Sequence, residues 1–270
     1  MNLISIESLS MTYGSPARPI LSGIDIAIAE GEFVCVLGQT GCGKSTLLRL
    51  VLGSEQPTRG QVLIDGERHL RPDWTRGYVP QTYALFPDRT VLDNITFGPE
   101  VREFNLFSRM TPRFFRRRRE LRMQAMDYLL RIGLREADAG KYPDQLSGGM
   151  QQRVAIAQAL MTKPRILLMD EAFSALDPGT RRDMQKLIRQ LWRDTRTTVL
   201  FVTHNTQEAL SMATRVLVLA KEDPANGSQI MLDMTLNQPC REDEMPRLIA
   251  KVEGVCGSSR EPESALFLPA

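Results

Sequence analysis

The chain has 270 residues and a net charge of +2, and 42% of its residues are hydrophobic and 24% charged. This length allows one large domain with an inserted subdomain, and the near balance of charge gives no sign of nucleic-acid binding. The longest apolar runs are of strand length, well short of the roughly 20 residues that cross a membrane, so we expect any membrane role to depend on a partner.

The first thirty residues and a segment near residue 61 alternate apolar with polar side chains. Leu3–Glu7 and Gln61–Gly66 show this alternation, which predicts antiparallel strands joined by turns. Elsewhere the apolar runs are nearly continuous, as in strands that are buried on both faces of a parallel sheet. These runs are Phe33–Leu37, Ile166–Met169, Val199–Thr203 and Val216–Ala220.

Helical patterns lie between these strands. Ser45–Leu52 directly follows the first run, and Asn205 with Glu208 resembles a capping box at the start of another helix. One more helix is predicted by an apolar face made of Met184, Leu187, Ile188, Leu191 and Trp192. Strands alternating with helices predict an α/β fold around a mostly parallel sheet, beside an antiparallel β subdomain.

Residues 88–162 read mostly as helix and predict an α-helical subdomain inserted into a domain that spans residues 1–236. The subdomain contains a basic cluster, Arg113-Phe114-Phe115-Arg116-Arg117-Arg118-Arg119. A solvated loop or helix end is the favoured interpretation, and contact with anionic lipid or an acidic partner is the alternative. Residues 237–270 are interrupted by Pro, Gly and Ser and are predicted to be a short appendage with no assigned function.

A glycine-rich loop follows the first buried strand. Gly38-Gln39-Thr40-Gly41-Cys42-Gly43-Lys44-Ser45 fits the pattern G-x-x-x-x-G-K-[ST] between a strand and a helix. The glycines allow a tight turn whose N–H groups point inward, and the helix start adds partial positive charge. Lys44 places a cation on the phosphates and Ser45 can bind Mg²⁺, so the loop predicts a nucleoside triphosphate site.

The four cysteines are Cys35, Cys42, Cys240 and Cys256, and none is paired at a metal-ligand spacing. Reduced thiols are therefore expected. Cys42 lies in the phosphate loop, where a small loop residue is the favoured interpretation and a reactive thiol at a helix start is the alternative.

Two carboxylates, Asp170 and Glu171, end the apolar run Ile166–Met169, at the edge where parallel sheets bind ligands. Asp170 suits the shell of Mg²⁺, directly or through water, and Glu171 is placed to polarise an attacking water. His204 ends another apolar strand and is predicted at the same edge, where it could hold the γ-phosphate and that water. Solvated acids are the alternative for the two carboxylates, and the phosphate loop in the same chain disfavours it. A structural histidine is the alternative for His204, and its position at a strand end disfavours that interpretation.

A second glycine-containing segment, Leu146-Ser147-Gly148-Gly149-Met150-Gln151-Gln152-Arg153, precedes a helix predicted over Val154–Met161. Ser147 is a good N-cap and the two glycines free backbone N–H groups, so this is a second helix start able to bind an anion. One such site is enough for one nucleotide. The second indicates that it serves the nucleotide of a partner subunit, with a simple helix cap as the alternative.

Together, these motifs resemble the ATPase subunits of ABC transporters in order and spacing, over about residues 1–220. The resemblance implies a P-loop NTPase with a RecA-like core, and it implies roles by position. Tyr13 resembles the aromatic residue that stacks on adenine, and Gln81 resembles the glutamine that reaches Mg²⁺ and senses the permease. Glu171 resembles the general base and His204 the switch histidine.

The resemblance also implies contacts with ATP along the phosphate loop, from Gly38, Gln39, Thr40, Gly41, Cys42, Gly43, Lys44, Ser45 and Thr46. Lys44 counts among the catalytic groups, and Ser45, Gln81 and Asp170 among the Mg²⁺ ligands. Ser147, Gly148 and Gly149 resemble the signature that contacts the γ-phosphate held by the partner, and Asp177 resembles the loop that joins the two sites. Met150 stands where the family most often has glutamine and Ala172 where it most often has proline, and neither change removes a phosphate-binding or proton-transfer group.

In this family two subunits enclose two ATP molecules, and the helical insertion passes their closure and release to a permease. The resemblance thus implies ATP and Mg²⁺ as cofactors, a second ATPase subunit and a permease as partners, and a solute-binding protein as an indirect one. It implies a position on the cytoplasmic face of the inner membrane. Asp170–Arg181 and Arg89–Ile95 are similar to bacterial importers of the nitrate, sulfonate and taurine group.

Other functions stay open at this level. A non-transport ABC ATPase usually carries long coiled-coil insertions or tandem cassettes, which are not visible here. A soluble P-loop kinase would not need the Leu146–Arg153 segment together with Gln81 and His204. A catalytically inactive cassette is disfavoured because Lys44 and Glu171 are present.

Overall fold

The computed structural model describes residues 2–82, 84–105, 111–174, 176–223, 226–236 and 244–257. Ala175, Cys240 and most of the predicted appendage lie outside these ranges. The α-helices in the described part are α1 (Lys44–Leu52), α2 (Val91–Glu103), α3 (Pro112–Arg131), α4 (Gly148–Met161), α5 (Pro178–Thr195), α6 (Thr206–Met212) and α7 (Met245–Gly257).

The smaller of two sheets is antiparallel and N-terminal. Its strands are β1 (Asn2–Tyr13), β2 (Arg18–Ala29), β4 (Arg59–Ile64) and β5 (Glu67–Arg68), in the order β2-β1-β4-β5. The apolar side chains Ile4, Ile6, Val62 and Ile64 of the alternating segments are buried, and the predicted antiparallel subdomain is present.

The larger sheet has six strands and forms the centre of the molecule. They are β3 (Phe33–Leu37), β6 (Arg76–Val79), β7 (Ile166–Asp170), β8 (Thr198–Thr203), β9 (Arg215–Ala220) and β10 (Gln229–Thr235). Their order is β10-β9-β3-β8-β7-β6, and only β10 runs antiparallel to its neighbour in this sheet as described. The predicted α/β fold with a mostly parallel sheet is confirmed. The sequence patterns did not predict β6 and β10, because β6 has four residues and β10 is a half-exposed edge strand.

Apolar cores lie on both faces of this sheet. Phe33, Cys35 and Leu37 of β3 face the core formed with α4, α5 and α6, whereas Val34 and Val36 face the core formed with α1 and the antiparallel sheet. A strand that is buried on both faces has no polar side to show. This three-layer packing explains why the central strands read as unbroken apolar runs.

The helical insertion consists of α2, α3 and α4, and ion pairs join the first two. Arg118 of the basic cluster lies 3.1 Å from both Asp93 and Glu100, and Arg117 lies 2.8 Å from Glu103. The cluster is thus the N-terminal part of a helix, and it is partly neutralised by α2. Helix α4 begins at Gly148, six residues before its predicted start, since the Ser147 cap lets both glycines form the first turn.

The chain after β10 contains a helix that the sequence patterns did not predict. Helix α7 packs on α6 and β9, and its Val252 is fully buried. Short amphipathic helices of this kind depend on tertiary contacts for their stability. On α5, by contrast, the predicted face is confirmed, because Met184, Ile188 and Leu191 are buried.

Candidate active site

Three adjacent parallel strands end at one edge of the large sheet. The register pairs Leu37 of β3 with Thr203 of β8, and Val202 of β8 with Asp170 of β7. The loops that follow these strands carry the phosphate loop, His204 and Glu171. Ligands bind at this edge in open α/β sheets, where the loops diverge from the strand ends.

The phosphate loop wraps around the ammonium group of Lys44. Lys44 Nζ donates hydrogen bonds to the carbonyl oxygens of Gly38, at 2.8 Å, and Gln39, at 3.0 Å. Gly43, with φ of 99°, turns the backbone in the left-handed region just before α1 starts. The buried lysine and the N–H groups of the helix start therefore point into the same concave loop.

Gly38 is required by close backbone packing. A Cβ atom at this position would lie 2.3 Å from the carbonyl oxygen of Leu219 in β9 and 2.6 Å from Cys42 Sγ. The loop is therefore seated directly against the neighbouring strand. Cys42 itself is only 6% exposed, which favours the small loop residue over the reactive thiol.

Asp170 lies behind the loop and holds two hydroxyl groups. Ser45 Oγ donates to its Oδ1 at 3.0 Å, and Tyr78 Oη donates to its Oδ2 at 3.4 Å. Burial raises the pKa of Asp170, the hydrogen bond from Ser45 opposes this, and the nearby Glu171 adds to it. Burial and the charge of Asp170 raise the pKa of Tyr78 to about 12. Tyr78 thus stays a neutral donor toward the carboxylate.

Glu171 is held between two polar side chains. Gln81 Nε2 donates to its Oε2 at 3.2 Å, and His204 Nδ1 lies 3.3 Å from its Oε1. The backbone of Glu171 has φ of 46°, in the left-handed region that non-glycine residues rarely adopt. Its N–H donates to Val202 at 2.9 Å and so anchors this turn to β8. Strain of this kind at a strand end is typical of a functional position.

A cleft of about 370 Å³ opens between these groups. It is lined by Ile20, Thr40, Gly41, Gly43, Lys44, Ser45, Thr46, Gln81, Glu171 and His204. Nine of these ten were predicted site residues and come from four separate stretches of sequence. Ile20 was not, and nothing in its local sequence marks it.

Tyr13 lies beside this cleft without lining it. Its hydroxyl donates to Glu55, and the Thr46 side chain also hydrogen-bonds to it. Burial raises the pKa of Tyr13, and the hydrogen bond to Glu55 adds to the effect. Tyr13 as a whole is 37% exposed, which leaves it accessible for stacking. Glu55 and Tyr78 were not predicted as site residues, because their partners Tyr13 and Asp170 are distant in the sequence.

The second predicted helix start lies apart from the cleft. Ser147 Oγ accepts the Met150 N–H at 3.3 Å as the N-cap of α4, and none of Ser147, Gly148 and Gly149 lines the cleft. Asp177 caps α5, where hydrogen bonds from Thr180 and Gly179 lower its pKa. It also lies outside the cleft lining. The structure thus gathers the phosphate loop, Gln81, Asp170, Glu171 and His204 at one cleft. It leaves Ser147, Gly148, Gly149 and Asp177 outside the lining of that cleft.

This fold and this cleft define a P-loop nucleoside triphosphatase. The family model described as ABC transporter matches residues 21–174. The bicarbonate transport ATP-binding protein CmpD of Synechococcus elongatus is 40% identical over 228 residues, which cover 84% of this chain and 78% of that protein. The aliphatic sulfonates import ATP-binding protein SsuB of Zymomonas mobilis is 38% identical over 261 residues, 93% of this chain and 98% of that protein.

Among solved structures, a dimeric post-hydrolysis state of an ATP-binding cassette bound to ADP and Pi is similar, with a TM-score of 0.73 and 29% identity. The similarity covers 87% of this chain and 99% of that one. The chain therefore belongs to the ABC transporter ATP-binding family, and it is an ATPase. Within the described residues no helix is long and apolar enough to cross a membrane.

Proposed function

We propose that this chain is the ATP-hydrolysing subunit of a bacterial importer for a small anionic solute, and that it works in pairs at the cytoplasmic face of the inner membrane. The observation that supports this best is the split site. Lys44, Glu171 and His204 share one cleft, whereas the second anion-binding helix start, at Ser147, lies elsewhere on the surface.

In the proposed reaction the phosphate loop and Lys44 hold the β- and γ-phosphates of ATP. Glu171, fixed from both sides by Gln81 and His204, accepts a proton from the attacking water. His204 holds the γ-phosphate in line with that water. The anchored backbone of Glu171 keeps its carboxylate in place without a large reorganisation.

The residues present also fit Mg²⁺. Ser45 and Asp170 form a hydroxyl–carboxylate pair at 3.0 Å, and such hard oxygen donors are the ones that Mg²⁺ prefers. Among the described residues no group of three or more His, Cys, Asp and Glu side chains could hold a metal, so phosphate oxygens and water would complete the shell. Ser45, Asp170 and Gln81 would hold the ion, which would neutralise charge on the phosphates.

Pairing of two chains would bring Ser147, Gly148 and Gly149 of one copy to the γ-phosphate in the cleft of the other. Gly149 supports this role, because a Cβ there would lie 3.3 Å from Leu176, next to Asp177. The start of the signature helix and the segment before Asp177 are thus close neighbours. The dimeric cassette with ADP and Pi has a similar fold, which supports the same arrangement here.

A groove of about 420 Å³ on the helical insertion is the proposed contact for the permease. It is lined by Leu92, Phe115, Arg118, Arg119, Arg122, Met123 and Met126. Phe115 and Met123 are 62% and 60% exposed, which is unusual for large apolar side chains. Such a groove fits a short segment that carries apolar and acidic side chains. Phe115, Arg118 and Arg119 of the basic cluster line this groove, so the proposal adopts the alternative interpretation of the cluster as a contact for an acidic partner.

The small-anion solute is proposed from the relatives. The similar proteins of Synechococcus and Zymomonas are named for bicarbonate transport and for import of aliphatic sulfonates. Both solutes are small anions. Since the solute does not contact an ATPase subunit of this kind, transport assays with the matching permease and binding protein would test the proposal, and uptake of a cation would contradict it.

The assignment of Glu171 is tested by Glu171→Gln. The amide keeps the shape of the side chain but cannot take a proton, so we expect Mg-ATP binding to persist and hydrolysis to fall by about a hundredfold or more. Light scattering should then show a stable dimer in Mg-ATP. A variant with normal turnover, or one that binds ATP and stays monomeric, would contradict the assignment.

The permease groove is tested by Met123→Glu, which puts a charge into its apolar floor. We expect the variant to lose co-purification with the permease while the ATPase activity of the isolated chain is kept. Leu130→Glu is the matched control, because Leu130 is 47% exposed on the same helix but does not line the groove. Equal behaviour of the two variants would place the contact elsewhere.

A further inference from the structure

Glu208 is a buried carboxylate that the proposed reaction does not use. It lies in the first turn of α6, three residues after its N-cap Asn205, and is 8% exposed. Within the described part of the chain no basic side chain forms an ion pair with it. A buried carboxylate normally needs such a cation or a full set of hydrogen-bond donors. The hydrogen-bond donors to the Glu208 carboxylate therefore indicate its structural role.

The donors of Glu208 come from two elements of the site. Thr203, the last residue of β8, donates from Oγ1 to Glu208 Oε2 at 2.5 Å. Gln185 of α5 donates from Nε2 to Glu208 Oε1 at 2.8 Å. Both carboxylate oxygens are thus taken, one by the residue before His204 and the other by the helix that Asp177 caps.

The capping box predicted for Asn205 and Glu208 is only half present. Asn205 Oδ1 accepts the Glu208 N–H at 3.0 Å, as predicted. The return bond is missing, because the Asn205 N–H donates to Thr203 Oγ1 at 3.1 Å, and this hydroxyl in turn donates a hydrogen bond to Glu208. The carboxylate therefore binds Thr203 and Gln185 and does not close the helix cap. The hydrogen bonds of Thr203 and Asn205 thus fix the loop on either side of His204.

We propose that Glu208 is a positioning residue that couples the Asp177 helix to the His204 loop through the chain Gln185–Glu208–Thr203. This inference rests on the proposed role of His204. Thr203 and Asn205, which flank His204, both take part in this hydrogen-bond network, and the bond between Thr203 and Glu208 is buried. A displacement of α5 would therefore reach the histidine through short hydrogen bonds. A second tie supports a rigid connection, because Arg189 of α5 donates to the Ser211 carbonyl of α6 at 2.7 Å.

The hydrogen bonds of Gln185, Glu208 and Thr203 link two surfaces with different proposed roles. Asp177 lies at the start of α5 on the face proposed to meet the partner subunit, whereas His204 lies in the cleft, 3.3 Å from Glu171. Closure of the two subunits on each other would therefore shift His204 through Gln185 and Glu208. Buried polar networks transmit such shifts because a broken hydrogen bond inside the protein is costly.

The test exchanges donor and acceptor. Gln185→Glu places two carboxylates in contact, and we expect kcat for Mg-ATP hydrolysis to fall about tenfold or more while KM changes little, since positioning and not binding is lost. The double variant Gln185→Glu with Glu208→Gln restores the pair, because the new amide donates to residue 185 and its carbonyl still accepts from Thr203. Its kcat should return to within about threefold of the parent.

Combination with His204→Ala separates positioning from general damage. If Glu208 acts through His204, removal of His204 should cost less in the Gln185→Glu background than in the parent. Ser211→Ala is the stability control, because it removes a 2.8 Å bond to the Glu208 carbonyl and leaves the carboxylate untouched. We expect it to lower the melting temperature and keep kcat.

Three results would overturn the inference alone: a parental kcat in Gln185→Glu, a loss that the exchanged pair does not restore, or losses that multiply fully with His204→Ala. A parent chain without ATPase activity, or a His204→Ala variant with parental activity, would instead reject the proposed role of His204, and the inference with it.

Discussion

At the scale of single residues, the site depends on backbone positions as much as on reactive groups. Gly38 lets the phosphate loop lie directly on β9, and Glu171 occupies a left-handed backbone position with φ of 46°. The reactive side chains would not meet in one site if the backbone conformation at Gly38 or Glu171 were different. The chemistry of Lys44 and Glu171 is usable because the surrounding backbone holds both at one edge of the sheet.

Substitution of Gly38 should therefore affect both stability and nucleotide binding. In Gly38→Ala the added methyl group would meet the Leu219 carbonyl and Cys42, so the loop must move, and we expect a loss of about 1–3 kcal/mol in the free energy of unfolding. ATP affinity should fall as the loop N–H groups turn away from the phosphates. Urea unfolding and equilibrium ATP binding measure the two effects.

Gly140→Ala is the matched control for this substitution. A Cβ atom there has nothing within 4 Å, and its backbone does not need the left-handed region. We expect no measurable change in stability or in ATP affinity. If Gly38→Ala behaved like this control, the close approach to β9 would not matter to the loop.

At the scale of elements, Asp93 joins the first two helices of the insertion. Its N–H donates to Thr90 Oγ1 at 3.2 Å, and Thr90 donates back to its Oδ2 at 2.8 Å, so the pair caps α2. Arg118 and Arg122 of α3 lie 3.1 Å and 2.5 Å from its Oδ1. Although burial alone would raise the pKa of Asp93, the hydrogen bond from Thr90 and the two arginines lower it overall.

The stability contributed by Asp93 should depend on pH in a defined direction. Because the pKa is lowered in the fold, the contribution is complete above the ordinary carboxyl pKa of 3.8 and is lost as the pH falls below it. We expect Asp93→Asn to cost no more than about 1 kcal/mol at pH 7, since solvent screens the pair. The gap between parent and variant should shrink below about pH 4.

Urea unfolding at several pH values between 3 and 7 measures this gap. Asp127→Asn is the control, since Asp127 pairs with Arg131 at 2.9 Å on the exposed side of α3 and is 59% exposed. Its removal should change stability by less than about 0.5 kcal/mol at any pH. A gap for Asp93→Asn that widened on acidification would contradict the assigned pKa direction.

At the scale of the whole molecule, the proposed division of the ATP site between two surfaces predicts complementation. A Lys44→Ala chain keeps its Ser147 helix start, and a Ser147→Arg chain keeps its phosphate loop, so each is expected to be inactive alone. In a mixed pair the phosphate loop of one chain meets the intact Ser147 of the other, and one of two sites is complete. An equal mixture should recover about a quarter of the parental ATPase rate if pairing is random and the sites act independently.

The measurement is the steady-state ATPase rate of each variant and of the mixture at the same total concentration. A mixture as inactive as its components would argue that each chain completes its own site. Full activity of the Ser147→Arg chain alone, as a monomer, would remove the need for a partner.

The sequence patterns predicted the parts of this fold that depend on neighbours in the chain. The phosphate loop is encoded by eight consecutive residues, and the face of α5 by a regular apolar spacing, so both could be read directly. Helix α7 and strand β10 could not, because their stability comes from contacts with α6 and β9 more than from local propensity. The Asn205–Glu208 pair shows the same limit, since only the fold reveals that Thr203 and Gln185 take the carboxylate.

By itself the sequence determined the chemistry: the phosphate-binding loop, the paired carboxylates and the second helix start, each formed by residues adjacent in the chain. Only the tertiary structure decided which of these groups share a cleft. The strand order β3-β8-β7 brings Lys44, His204 and Glu171 to one edge and leaves Ser147 and Asp177 outside it. The physical reason is that strand pairing links residues far apart in the sequence, so their meeting depends on the packing of the whole sheet.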